Sequence, residues 1–200
     1  MATGRSVAIT LGTGDALIIV DLQSDFLPGG SLAVTAGDEA VPVLNHHVAE
    51  FSDRNLPIFA TRDWHPANHS SSRQWDGPWP PYCVAGSRGA AFAADLQLQA
   101  SAQVVSKGTD REKDTYSGFA GTDLDAQLRA ASVRRVFVGG LATDYCVLNT
   151  VSDALALGYE TFLLEDGVRA VDVSAGDGDR TLAQMRARGA RPLAHEAIGV

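Results

Sequence analysis

The sequence predicts an α/β fold, a three-layer αβα sandwich around a mainly parallel six-stranded sheet. Three observations predict it. Short runs rich in β-branched and apolar residues recur along the chain. Most are continuously apolar rather than alternating, as in strands buried on both faces. Helical periodicity fills the gaps, and strand–helix alternation through the whole chain implies right-handed crossovers that lay helices on both sides of a sheet. The 200 residues, 45% apolar and 20% charged, suit a single domain over 1–200, with no internal repeat and no dividing linker.

The first run is Ala16–Leu22 (ALIIVDL). A helix follows, with Val41, Leu44, Val48 and Phe51 at i, i+3, i+7 and i+10. Pro57–Arg62 (PIFATR) is the second strand and Gln103–Lys107 (QVVSK) the third. Leu124, Leu128 and Ala131 repeat at i, i+4 and i+7, with Arg129 and Arg134 outside. Arg135–Leu141 (RVFVGGL) is the fourth strand. Val147, Val151, Ala154 and Leu155 outline the next helix, which Gly158 stops. Glu160–Glu165 (ETFLLE) is the fifth strand, a last helix covers roughly Asp179–Arg188 and ends at Gly189, and the weaker run Arg191–His195 (RPLAH) is the sixth. Trp64–Gly89 stays irregular, rich in Pro, Ser, Gly, Trp and His; a loop of that length in a compact domain is usually functional.

The formal charge of −8 argues against nucleic-acid or anionic-membrane partners, which need clustered Lys and Arg. Arg186, Arg188 and Arg191 read as the solvated end of a helix. Two cysteines, Cys83 and Cys146, are too few for a disulfide framework. The N-terminal stretch, broken by Gly4, Arg5, Gly12 and Gly14, carries no signal-peptide pattern, and no apolar run is long enough to span a membrane. A reducing, cytoplasmic setting is expected. His46 and His47 read as surface or packing residues on the first helix.

In open α/β sheets ligands bind beyond the carboxyl ends of the strands. The first strand ends in Asp21, the second in Asp63, the third in Lys107, and the fourth runs into Cys146. Two carboxylates, an ammonium and a thiol thus converge on one edge. Cys146 is expected in the first turn of its helix, capped by Thr143 or Asp144. There the helix dipole and Lys107 are expected to lower its pKa by roughly one to several units from about 8.5. Backbone N–H groups of that turn suit a tetrahedral oxyanion, and Asp21 suits a proton shuttle. A lone cysteine is more often a small buried hydrophobe, the reading kept for Cys83, but Asp21 and Lys107 favour a nucleophile at Cys146. Asp63, His65 and His69 form a second constellation, suited to zinc, iron or manganese; their spacing leaves a hydrogen-bonded polar loop equally open. Phe26, Trp79, Tyr116 and Tyr145 flank these groups and suggest a slot for a flat substrate.

These stretches, ALIIVDLQSDF, PGGSLAV, TRDWHPANH, WPPYCVAG, Lys107-Gly108, YSGF and GGLATDYCV, in this order and spacing, resemble the isochorismatase-like cysteine hydrolases, and within them the nicotinamidase/pyrazinamidase branch. The resemblance implies an Asp21–Lys107–Cys146 triad and a cis peptide at Leu141–Ala142, with the N–H groups of Ala142 and Cys146 at the oxyanion. It implies a pyridine-like ring between Phe26 and Trp79 with Tyr116 and Tyr145 nearby, and a divalent metal on Asp63, His65 and His69. Tyr82 departs from the pattern, which places a fourth metal-binding histidine there. The implied reaction is hydrolysis of a small aromatic carboxamide, with nicotinamide or pyrazinamide the first substrates to consider. A different amide or ureido metabolite, with a weakened or absent metal site, is the alternative. Vinyl-ether hydrolysis and a non-catalytic scaffold are disfavoured by the retained Cys146. The partner expected is a small amide, and homo-oligomerisation stays open.

Overall fold

A computed structural model describes residues 9–194 and 198–199. His195, closing the sixth apolar run, lies outside them, as does the start of the N-terminal stretch. Six strands form one sheet: β2 (Asp15–Val20), β3 (Ile58–Asp63), β4 (Gln103–Lys107), β5 (Arg135–Leu141), β6 (Glu160–Arg169) and β7 (Arg191–Leu193). Their order is β4-β3-β2-β5-β6-β7, with every pairing parallel. A separate two-residue pairing of β1 (Ile9–Thr10) with β8 (Ile198–Gly199) carries no sequence signal of its own.

The helices are α1 (Ala40–Asp53), α2 (Leu124–Ala130), α3 (Leu148–Ala156) and α4 (Asp177–Ala187). On one face of the sheet, Val41, Leu44, Val48 and Phe51 of α1 pack on Leu17, Ile19, Phe137 and Phe162. On the other, Leu124 and Leu128 of α2, Val151 of α3 and Met185 of α4 cover Ile18, Val20, Phe59 and Val138. Every residue of β2 is buried, as its unbroken apolar run requires of a strand covered on both sides. Ala131, expected on the apolar stripe, lies just past α2 and is exposed. Gly158 (φ 90°) and Gly189 (φ 110°) follow α3 and α4 in the left-handed conformation that ends a helix.

Alternation fails at one crossover. Between β3 and β4 there is no α-helix, only the 3-10 turn Arg73–Trp75. Pro66, Pro78, Pro80 and Pro81 deny that stretch helical hydrogen bonds. Its own Tyr82, Cys83, Ala90 and Ala93 pack into the α1-side core in place of a helix. The second difference is β6, which continues past the apolar run through Asp166 and Gly167 to Arg169, with a register shift against Val138 and Gly140 of β5.

The basic residues near the last helix are each spoken for. Arg186 pairs with Glu165 at 2.6 Å, Arg188 donates to Ser152 Oγ at 2.7 Å, and Arg191 pairs with Glu160. His46 is exposed and His47 buried. Both cysteines are free. Among the described residues no helix is long and apolar enough to cross a membrane.

Candidate active site

The strand order reverses between β2 and β5, which are neighbours in space and distant in sequence. The crevice beyond the carboxyl ends at such a point is where open α/β sheets bind ligands. Asp21 directly follows β2, with a positive φ of 46°. Asp63 and Lys107 close β3 and β4 as register partners. Cys146 lies in the turn after β5. Lys107 Nζ stands at the centre, 2.8 Å from Asp21 Oδ2, 2.5 Å from Asp63 Oδ1 and 3.5 Å from Cys146 Sγ. All four side chains are buried. The three groups of the expected triad are therefore brought together, and Asp63 joins them through the same ammonium.

Three residues outside the expected site set hold this arrangement. Thr61 donates its hydroxyl to Asp21 Oδ1 at 2.7 Å. The Gln23 side chain donates to the Asp63 carbonyl and accepts the Asp63 N–H, both at 2.8 Å. Lys107 also donates to the Thr115 carbonyl at 3.3 Å. Thr61 and Gln23 were hidden because each sits inside or beside an apolar strand run, where a polar residue reads as an interruption.

The local structure around Cys146 differs from expectation. The peptide Leu141–Ala142 is cis, as the resemblance implied. Thr143–Val147 then forms a π-helical turn ahead of α3, and neither Thr143 nor Asp144 caps it. Asp144 instead accepts the N–H groups of Val171 and Asp172, each at 2.9 Å. Nor does the site lower the thiol pKa. Burial pushes Cys146 well above its ordinary value, and Lys107 opposes this only in part. Burial raises the Asp21 carboxyl too, against the pull of Lys107. Lys107 itself resists burial, because Asp21 and Asp63 hold its ammonium in the charged form. Burial also opposes ionisation of Asp63, but Lys107 and His65 outweigh it and keep that carboxyl below its usual range. The resting site is thus a neutral thiol beside an ammonium and its carboxylates.

A narrow cavity of about 30 Å³ opens beside the thiol, lined by Phe26, Asp63, Trp79, Tyr82, Tyr116, Ala142, Tyr145, Cys146 and Val171. All four aromatic residues expected to flank the substrate are on its wall. Trp79 donates Nε1–H to the Tyr116 hydroxyl at 3.3 Å and meets Tyr145 edge-on at 5.4 Å between centroids. Ala142 lies on the same wall, next to the nucleophile. Tyr82 and Val171 are additions; Val171 sits in no motif.

The donors for a metal are placed unevenly. Asp21, Asp63 and Cys146 bring three ligand atoms within 4.8 Å of one another, yet Lys107 already supplies a positive charge there. The expected donors Asp63, His65 and His69 are not among the described groups whose ligand atoms come that close together, although His65 lies beside both Asp63 and His69. His65 Nδ1 faces the Gly108 carbonyl at 3.0 Å, which sets the proton on that nitrogen. Its buried Nε2 has no hydrogen-bond partner among the described residues and stands 3.7 Å from Asp63 Oδ2. The His69 ring stands 4.0 Å from that of His65, with Nδ1 2.8 Å from Ser71 Oγ and Nε2 3.3 Å from the Lys113 carbonyl. Burial and His65 hold His69 below the usual histidine value, so it stays neutral, as a ligand must. Tyr82 packs edge-on against His65 at 4.8 Å and lines the cavities on both sides. Burial, reinforced by Asp63, raises its pKa further, so it stands as a protonated phenol where the family pattern has an imidazole.

The sequence and the fold have relatives among known proteins. A nicotinamidase of Escherichia coli (strain K12) is 40% identical over 196 residues, which cover 88% of this chain and 92% of that protein. The zinc complex of a pyrazinamidase from Pyrococcus horikoshii superposes with a TM-score of 0.87 at 44% identity, covering 90% of this chain and 99% of that one. A nicotinate complex from L. infantum superposes with a TM-score of 0.89 at 38% identity, covering 96% and 99%. The profile of the isochorismatase domain matches residues 15–197, and the chain belongs to the isochorismatase family.

Proposed function

We propose that this protein hydrolyses a small aromatic carboxamide, nicotinamide or pyrazinamide first among them, to the carboxylic acid and ammonia through a thioester on Cys146. The observation that carries the proposal is the contact of Lys107 with both Asp21 and Cys146 at the wall of an aromatic slot. Relatives named for nicotinamidase and pyrazinamidase activity support it.

Asp21 takes the Cys146 proton, and the resulting thiolate attacks the carboxamide carbon. The oxyanion is held by the backbone N–H groups of Ala142 and Cys146. Protonated Asp21 gives its proton to the leaving nitrogen, the C–N bond breaks, and ammonia departs from the thioester. Asp21 then takes a proton from water, whose oxygen attacks the thioester; the C–S bond breaks, and Asp21 returns the proton to the sulfur, restoring the thiol and its own carboxylate. A carboxyl with a raised pKa suits this shuttle, because it holds the proton between the two transfers. Lys107 neutralises both carboxylates and stabilises the thiolate once formed. Phe26 and Trp79 would hold the ring, with Tyr116 and Tyr145 beside them. Asp63, His65 and His69 would hold a divalent cation, which supplies a positive charge at the edge of the slot.

Ammonia release from nicotinamide tests the reading. Cys146→Ala is expected to lower it by about 10³-fold or more, and full turnover in that variant overturns the mechanism. Tyr82 favours a second reading of the substrate. If nicotinamide and pyrazinamide are inert while another amide or ureido compound turns over with the same Cys146 dependence, the substrate class changes and the mechanism stands.

A further inference from the structure

Asp144 shares the turn of Cys146 but reaches away from the thiol. Its two carboxylate oxygens accept the successive N–H groups of Val171 and Asp172, each at 2.9 Å. Val171 lines the slot together with Ala142, Tyr145 and Cys146. The segment it belongs to follows the end of β6 at Arg169 and has no strand partner of its own. One further tie holds it: Asp172, at a positive φ of 54°, accepts the Gly178 N–H at 2.7 Å. Gly178 is required there, because a Cβ would lie 2.7 Å from the Ala170 Cβ.

The slot is narrow, with a volume of about 30 Å³. Small shifts of any wall atom therefore change which rings are admitted. An ionised carboxylate is an acceptor on both oxygens and makes stronger hydrogen bonds than a neutral group. An amide at the same place would accept one N–H and present its own NH₂ to the other.

We propose that Asp144 is a positioning residue for substrate selection. It ties Val171 to the nucleophile's own turn, so that this wall and the thiol keep a constant separation and rings substituted on that side are refused. The proposal rests on the carboxamidase reading, and it assigns Val171 as the specificity-determining contact that Asp144 controls.

The experiment compares nicotinamide with a set of ring-methylated nicotinamides, in wild type, Val171→Ala, Asp144→Ala, Asp144→Asn and the Val171→Ala/Asp144→Ala pair. One methyl group in an apolar pocket changes selectivity by roughly 10-fold or more. Both single alanine variants are expected to relax the preference for nicotinamide by about that factor, mainly through KM, with Asp144→Asn intermediate. The paired variant is expected to go no further than either alone, because both remove the same contact. Additive effects overturn the proposal, as does an Asp144→Ala variant that lowers kcat alike for every substrate with the preference unchanged. Amide hydrogen exchange is the second readout. The Val171 and Asp172 amides are expected to lose protection in Asp144→Ala, and unchanged protection also overturns the proposal. This readout needs no turnover, so an inert wild type would count against the carboxamidase reading and leave the Asp144 tie to be judged by exchange. If Asp144→Ala does not fold, Asp144→Asn against Val171→Ala makes the same comparison.

Discussion

At the scale of single residues, the resting state of Cys146 is decided by burial. A thiol at a helix N-terminus beside a lysine is ordinarily acidified. Here the lysine charge is already shared by Asp21 and Asp63, and the sulfur is buried, so the neutral form wins. A raised pKa keeps the thiolate scarce at neutral pH and lets its fraction grow as pH rises. In the absence of substrate, alkylation of Cys146 by iodoacetamide is therefore expected to be slow near pH 7 and to accelerate into the alkaline range. Cys146→Ala separates this signal from that of Cys83, which burial also pushes up. A rate already at its plateau at pH 7 would contradict the assignment. Tyr82 makes a different demand. As a buried, protonated phenol against His65, it adds no anionic ligand. Tyr82→His is expected to raise the metal retained per chain through purification, read by elemental analysis, and unchanged retention would place residue 82 outside the ligand set.

At the scale of elements, the site depends on how closely β2 and β5 approach at the switch point. Val20 and Gly140 are register partners. Gly140 has a φ of 130°, and a Cβ there would meet the Val20 carbonyl oxygen at 2.0 Å. Backbone cannot yield as a flexible side chain can. Gly140→Ala is expected to lower unfolding free energy by at least about 2 kcal/mol, from left-handed strain and overpacking together. It is also expected to reduce turnover, since Asp21 and Cys146 hang from the ends of these two strands. Denaturant melts with the ammonia assay check both, and a wild-type melt would show that the strands can separate here. At the opposite end of the same pair, the buried Asp15 carboxylate accepts from Arg135 Nε at 2.5 Å, so β2 and β5 are joined at both ends.

At the scale of the whole molecule, the sequence by itself determined the class of fold, the strands that carry the site and the chemistry at their ends. The reason is that these are written in local patterns. Unbroken apolar runs specify doubly covered strands, i, i+3 and i+4 spacing specifies helix faces, and a parallel sheet delivers the residue after each strand to one edge. Asp21, Asp63, Lys107 and Cys146 were legible for that reason, and a family resemblance extended the reading to the cis peptide and the slot aromatics. What tertiary structure alone decided involves pairs distant in the chain. Asp63 pairs with Lys107 as well as facing the histidines. Thr61 and Gln23 hold the two carboxylate strands together, and Asp144 ties down Val171 rather than capping a helix. The direction of the Cys146 pKa belongs here too, because desolvation depends on everything packed around the sulfur, whereas a motif names only its neighbours in the chain.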